Sequence, residues 1–201
     1  PSPSVAASAY RLIVLLNLAG ARTLVRENHY YDEDYMRGFQ RRYSRSVWPP
    51  SSLCRRYHFF RERLSTERFR QIWSVPAPSY DPCANASSLG YLGFFVSPEG
   101  LDSPLGRIML SSAAISGAIE TKYAVTGEAI SCHVTAAVPC DVTLAGIEFR
   151  YATSPFITPD PETGVCASAA AWNVIRTLHS RRRDLAPWYS LSEITDVANR
   201  A

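Results

Sequence analysis

Residues 91–110, YLGFFVSPEGLDSPLGRIML, decide the fold. Two short runs, Tyr91–Val96 and Gly106–Leu110, carry Leu, Phe, Val, Ile and Met, and the stretch between them, SPEGLDSPL, is rich in Ser, Pro, Gly and Asp. Short apolar runs punctuated this way read as strands joined by a loop, not as helix. Three further stretches downstream, Lys122–Ala129, Ile130–Val138 and Val142–Tyr151, have the same character and are expected to continue an antiparallel sheet. Upstream, residues 76–90, PAPSYDPCANASSLG, lack any periodicity and read as a loop. Before that loop the pattern is helical. Tyr35, Met36, Phe39 and Tyr43 recur at helix spacing, with Asp32, Glu33 and Asp34 in the first turn and Arg41, Arg42 and Arg45 in the last, an order that suits the helix dipole. Leu53, Tyr57, Phe60 and Leu64 form an i, i+4, i+7, i+11 stripe, which predicts a second helix after Trp48-Pro49-Pro50, and Glu67 to Trp73 a short third. Thr23-Leu24-Val25 is a short strand candidate. The expected class is α+β, helices first and sheet second.

Beyond Pro155 the chain changes again. In PFITPDPETGVCASAAAWNVIRTLH, Asp160 or Thr163 suits a helix cap, Pro161 a first turn, and Val165, Ala169, Trp172 and Leu178 one helical stripe. Ser190-Leu191-Ser192-Glu193 has the spacing of a capping box that opens a last helix with Ile194 and Val197. These shifts divide the chain into a flexible segment 1–19, a helical and β-rich extension 20–152, and a final unit 153–201.

Composition bounds the function. The chain has 201 residues, 46% hydrophobic, 19% charged and 11% aromatic, enough to build a core, and no apolar run reaches the roughly 20 residues of a membrane helix. That favours a cytoplasmic protein. The segment Arg11–Ala21, RLIVLLNLAGA, imitates a signal peptide and keeps secretion open; a buried strand or short helix before a glycine turn is the plainer account. Residues 1–75 hold 13 basic and 6 acidic groups, +7, against 8 basic and 12 acidic in the remainder, −4. Arg41-Arg42, Arg55-Arg56 and Arg181-Arg182-Arg183 beside Tyr43, Tyr57 and Phe59 could meet phosphates and bases, although solvated helix faces explain them as well. The five cysteines contain no CxxC pair, and Asp32-Glu33-Asp34 has no spaced partner, so neither metal nor organic cofactor is expected. Cys132 and Cys140 could bridge across a turn.

The sharpest chemical feature is Cys166, in GVCASAAAW at the start of a helix. A thiol there faces unpaired backbone N–H groups and the positive end of the helix dipole, which favour the thiolate. A buried, inert cysteine in an Ala-rich helix is the competing account. The run PFITPD-PETGVCASAAAW resembles the nucleophile-helix segment of bacterial papain-like cysteine peptidases of the bacteriocin-leader (double-glycine) type. More narrowly, HYYDEDYMRGF, RRYHFFRERLS, YLGFFVSPEG, GRIML and YAVTGEAI resemble the bacterial subgroup that carries this domain behind a helical and β-rich extension, so the likeness covers the chain from about Gly20. It implies a Cys166 nucleophile acting on a peptide or protein substrate, with a His base and an Asp or Asn orienter on later strands, which fall beyond Ala201. Papain-like enzymes also place a Gln shortly before the nucleophile; residues 156–165 contain none, and Asp160 near that slot would repel an oxyanion. Of the histidines, His179 is 13 residues along the same helix, about 20 Å away. His58 is expected on a surface or packing position of an Arg-rich helix, His29 before a helix start, and His133 on a strand. The alternative is a non-catalytic interaction module whose Arg-rich helices bind a protein or, less favourably, nucleic acid.

Overall fold

The computed structural model describes residues 3–74, 81–99, 106–157, 166–182 and 188–200. The fold is α+β: a curled, six-stranded antiparallel sheet, a half-barrel, with helices on both faces. In chain order the elements are α1 (Pro3–Leu18), β1 (Thr23–Tyr30), α2 (Glu33–Tyr43), β2 (Cys54–Phe60), α3 (Thr66–Trp73), α4 (Pro82–Ser88), β3 (Tyr91–Pro98), β4 (Arg107–Ser111), α5 (Ser112–Val125), β5 (Val138–Leu144), β6 (Ile147–Ile157), α6 (Cys166–Arg181) and α7 (Leu191–Ala198). Strands are ordered β1-β2-β3-β4-β6-β5, so β1 and β5 are the two edges. No helix among the described residues is long and apolar enough to cross a membrane.

Register sorts the side chains. Glu27 faces Arg56, Val25 faces His58, His58 faces Phe94, and Cys140 faces Tyr151 across neighbouring strands. The concave face gathers Cys54, Phe60, Tyr91, Phe94, Val96, Met109, Val142, Leu144, Ile147 and Phe149 into the main core. Tyr91 stacks on Phe149 at 4.7 Å, joining β3 to β6 across the curl. Ala86 of α4 and its C-cap Leu89 join the same core. Opposite faces alternate along a strand, so Phe59, Leu92, Ile108 and Leu110 point to the convex side, where Leu12 and Leu16 of α1, Ala19 just after it, and Ala114 and Ala118 of α5 cover them. Gly93 is required where β3 crosses β4: at φ +111, a Cβ would lie 2.2 Å from the Met109 carbonyl oxygen.

Several expectations need correction. Residues 54–60 are a strand. Their burial alternates by two until both faces are covered, Cys54, Arg56, His58 and Phe60 inward and Tyr57 and Phe59 outward. The helical stripe there was a coincidence of apolar residues that serve two faces. Strand β1 brings the sheet forward to residue 23, so helices and strands interleave. The loop expected over 76–90 contains α4, capped by the Asp81 carboxylate accepting from the Cys83 N–H; residues 75–80 lie outside the described residues. Lys122–Ala129 is not a strand, because α5 runs to Val125 with Ser111 as its cap, and Ile130 to Ala137 lies outside the sheet. The run expected to begin at Val142 is a hairpin, β5 and β6 turned through Ala145 and Gly146, both at positive φ as a two-residue turn requires.

Residues 3–18 form a helix where a flexible segment was expected, and Leu12 and Leu16 are buried beneath it. The division drawn at 152/153 falls inside β6, whose end is tied to α6 by the Ile157 N–H donating to Asn173 Oδ1. On α6, Ala169 and Trp172 are buried as expected, whereas Leu178 is half exposed. Asp32 caps α2 through the Tyr35 N–H, and Ser190 and Glu193 form the reciprocal capping box, both as read from sequence.

Candidate functional site

Cys166 is the first residue of α6, so its backbone stands at the helix N-terminus. Its side chain, Asp160, Thr163 and Val165 lie outside the described residues. The fold sends His179 to the far end of α6. Thr135, two residues from the exposed His133, accepts from Arg181 at that same far end. Fifteen helical residues, about 22 Å, separate positions 166 and 181. His29 is exposed on the bulged end of β1, at φ 56.

His58 is not on a surface. It is fully buried on β2, with Nδ1 2.7 Å from the Tyr91 hydroxyl and Nε2 3.4 Å from Glu27 Oε2. A neutral ring satisfies both partners by accepting from Tyr91 and donating to Glu27. Burial pushes the imidazole below its ordinary value; Glu27 pulls the other way, and Arg56 adds to the lowering. Burial opposes ionisation of Glu27, yet the His58 hydrogen bond and the Arg56 charge outweigh it and hold the carboxyl below the usual range. Arg56 Nε donates to Glu27 at 2.7 Å, its Nη2 donates to the Thr143 carbonyl at 2.6 Å, and its guanidinium lies 4.1 Å over the Tyr30 ring. One arginine thereby braces β2 against β1 and, across the curl, against β5.

A second polar cluster sits where α2, β4 and α6 meet. Arg107 donates to Asp32 at 2.7 Å and to the Tyr30 hydroxyl at 3.3 Å. Asp34 accepts from Trp172 Nε1 at 3.0 Å, while its Oδ2 is buried without a hydrogen bond, 3.8 Å from Arg107. Burial pushes the Asp34 carboxyl up to about 6, with Arg107 opposing and Asp32 reinforcing the rise. Burial works against the Arg107 charge, but Asp32 and Asp34 more than compensate and raise its value. Asp32-Glu33-Asp34 is thus a helix start joined to a buried ion pair, and no group of metal-binding side chains is found among the described residues.

These clusters resemble acid–base machinery in composition but are closed to substrate. His58 and Tyr91 cannot be reached without opening the core, since they are 0% and 4% exposed. Cys54 is pushed up to about 12 by burial, and burial also raises Cys140, so neither thiol is poised to react. Cys132 and Cys140 are free, with no bridge between them. The polar interior is a set of braces.

No protein-family model, curated protein or solved structure matches this chain. The outer side of β1 and β2 carries exposed basic and apolar side chains. Arg22, Leu24, Arg26 and Asn28 are exposed at alternating positions, and Arg26 pairs across strands with Tyr57, which pairs with Phe95. Leu24 is 55% exposed. Arg55 is bound to Glu99 at 3.3 Å, but among the described residues neither Arg22 nor Arg26 forms an ion pair. Sequence reasoning marked Thr23-Leu24-Val25 as a strand candidate but gave no role to Arg22 or Arg26, and so missed this edge. The residue types from Arg22 to Asn28, R-T-L-V-R-E-N, do not alternate in polarity, so the two-residue period appears only in the exposure of the folded strand.

Proposed function

We propose that this protein is a non-catalytic interaction module that receives a macromolecular partner on the open edge and outer face of β1. The observation that carries this reading is β1 itself. Among the described residues it is an edge strand hydrogen-bonded to β2 alone; it exposes Leu24 and Arg26, with Arg22 exposed directly before it, and neither arginine has an acidic partner among those residues. An edge strand presents a row of unpaired backbone groups to which another strand can add, and Leu24 and Arg26 are side chains that such a strand would meet.

The second reading, a papain-like thiol hydrolase, is favoured by one observation: α6 opens at Cys166. Two features weigh against it. His133 and His179 are carried to the other end of that helix, and both ring nitrogens of His58 are already engaged in the core.

Competitive labelling with a limiting amount of an electrophilic acyl probe separates the two readings. Cys83 is exposed and serves as the internal reference. The interaction module predicts Cys166 labelled no faster than Cys83. Labelling of Cys166 more than about tenfold faster, lost in Cys166→Ser along with any amide hydrolysis, would replace this reading with the hydrolase.

A further inference from the structure

Resting on the interaction-module reading, we propose that β1 takes up an extended acidic peptide as a seventh strand, with the side-chain pattern acidic-x-apolar-x-acidic facing Arg22, Leu24 and Arg26. The two edges of the sheet are treated differently. On β5, Pro139 has no N–H to offer, and the Thr143 carbonyl is already bonded to Arg56. On β1 there is no proline, and the strand runs eight residues. In an antiparallel pair every second residue turns its N–H and C=O away from its neighbour, so one side of β1 presents a row of donors and acceptors.

The row is bounded at both ends. The Thr23 hydroxyl accepts from the Leu64 N–H and donates to the Glu62 carbonyl, which brings residues 62–64 across the start of the strand. Between Glu27 and Tyr30 a bulge breaks the register, with His29 at positive φ. The free ladder is therefore short: it runs from Leu24 to Glu27, and Arg22 stands just before its start.

Side chains on the outer face set the preference. Arg22 and Arg26 lie four residues apart, about 13 Å along a strand, with Leu24 between them. An added strand meets these three positions with its own alternate residues, and charge complementarity calls for acid, apolar, acid. On the inner face Val25 is packed and Glu27 is held by Arg56, so that side adds little selection. A polynucleotide fits less well. It carries no alternating N–H and C=O row, and the Tyr57 and Phe95 rings stack on each other at 4.7 Å, leaving less free ring face for a base.

The test uses a fluorescent decapeptide with the core Glu-Thr-Val-Thr-Glu, followed by anisotropy at physiological ionic strength. Saturable binding is expected. It should be abolished by N-methylating alternate amides of the peptide, which removes donors without touching the protein. Opposite-charge cross-strand pairs contribute up to about fivefold each, so Arg26→Glu should weaken binding by about five- to twentyfold. A peptide with Lys at the facing position should recover it on that variant. Arg26 is exposed and forms no ion pair among the described residues, so the substitution leaves the fold intact. The proposal is overturned if the N-methylated peptide binds equally well, or if a Lys-Thr-Val-Thr-Lys core binds the unaltered protein as tightly. Absence of binding by the Glu core also overturns it. Arg26-dependent binding of an oligothymidylate probe without peptide binding would reject the peptide while leaving the interaction module standing; fast labelling of Cys166 would remove the module itself.

Discussion

Replacing Asp34 by Asn should make the protein more stable at neutral pH. The carboxylate is nearly sealed, with 3% of its side chain exposed. One oxygen accepts from Trp172 and the other has no hydrogen bond. Burial pushes its ionisation from the ordinary 3.8 up to about 6. A carboxyl raised in the folded state contributes stability that is complete below the unfolded value and is lost as pH rises through the folded one. The interval of roughly two units corresponds to about 3 kcal/mol paid on ionisation above pH 6. Asn has the same shape and keeps an acceptor for Trp172, but carries no charge. Its amide N–H₂ faces Arg107, a donor toward a donor, so the expected gain is about 1–3 kcal/mol at pH 7 to 8. Below about pH 4 the gain should vanish, because the native carboxyl is then neutral. Urea unfolding of both proteins across that range measures it. A variant less stable than the parent at pH 8, or a difference that does not change with pH, would refute the argument.

Three further substitutions probe the scaffold. Arg107→Met should destabilise by about 3–5 kcal/mol in urea, because it leaves Asp32 buried and unpaired; a loss below about 1 kcal/mol would mean that the pair is dispensable. Gly93→Ala places a Cβ against the β4 backbone at φ +111, and should lower the thermal midpoint sharply or prevent folding; a near-native midpoint would contradict the close approach. Ser190→Ala removes the side-chain half of the α7 capping box, leaving the backbone N–H at that position bonded to Glu193, and should cost about 1 kcal/mol, with faster amide exchange confined to the first turn of α7.

What could be read from the sequence was local. Asp32 before two more acids, and Ser190 three residues before Glu193, satisfy backbone donors within one turn of chain, and both helices begin where those residues place them. Strand β2 escaped because its inward face carries Arg56 and His58, while its outward face carries Tyr57 and Phe59. Polar and apolar residues therefore occupy the wrong sides for a period-two pattern, and the partners that make Arg56 and His58 acceptable inside are Glu27, Tyr91 and Thr143, which lie 29 to 87 positions away. Helix α5 escaped for the opposite reason. SAAISGAIETKYAV is made mainly of small residues, so only Ala114 and Ala118 mark its buried side. The polar interior followed the same rule as β2. Each charge was visible, but its partners depend on strand register, as for Glu27 and Arg56, or on the curl of the sheet, as for Arg56 with Thr143 and Arg107 with Tyr30, and neither is a local property of the chain.

That curl also explains why the candidate site lies at an edge instead of in the concavity. A closed barrel abolishes its edges through strand pairing, whereas this sheet is held bent by side chains: Arg56 from β2 to Thr143 on β5, Arg107 from β4 to Tyr30 on β1, and Tyr91 against Phe149. Braces of this kind need polar groups inside and bulky rings around them, and that leaves the concave side filled with structure instead of ligand. They also leave two edges. Arg56 is the same residue that orders Glu27 on β1 and occupies a carbonyl on β5, so a single side chain stiffens one edge while capping the other. The edge left stiff but uncapped is β1, and a preorganised strand with free backbone groups lowers the ordering cost of adding a partner. Loss of Arg56 should therefore do more than destabilise the core: it would loosen Glu27 and with it the backbone ladder that a seventh strand must match.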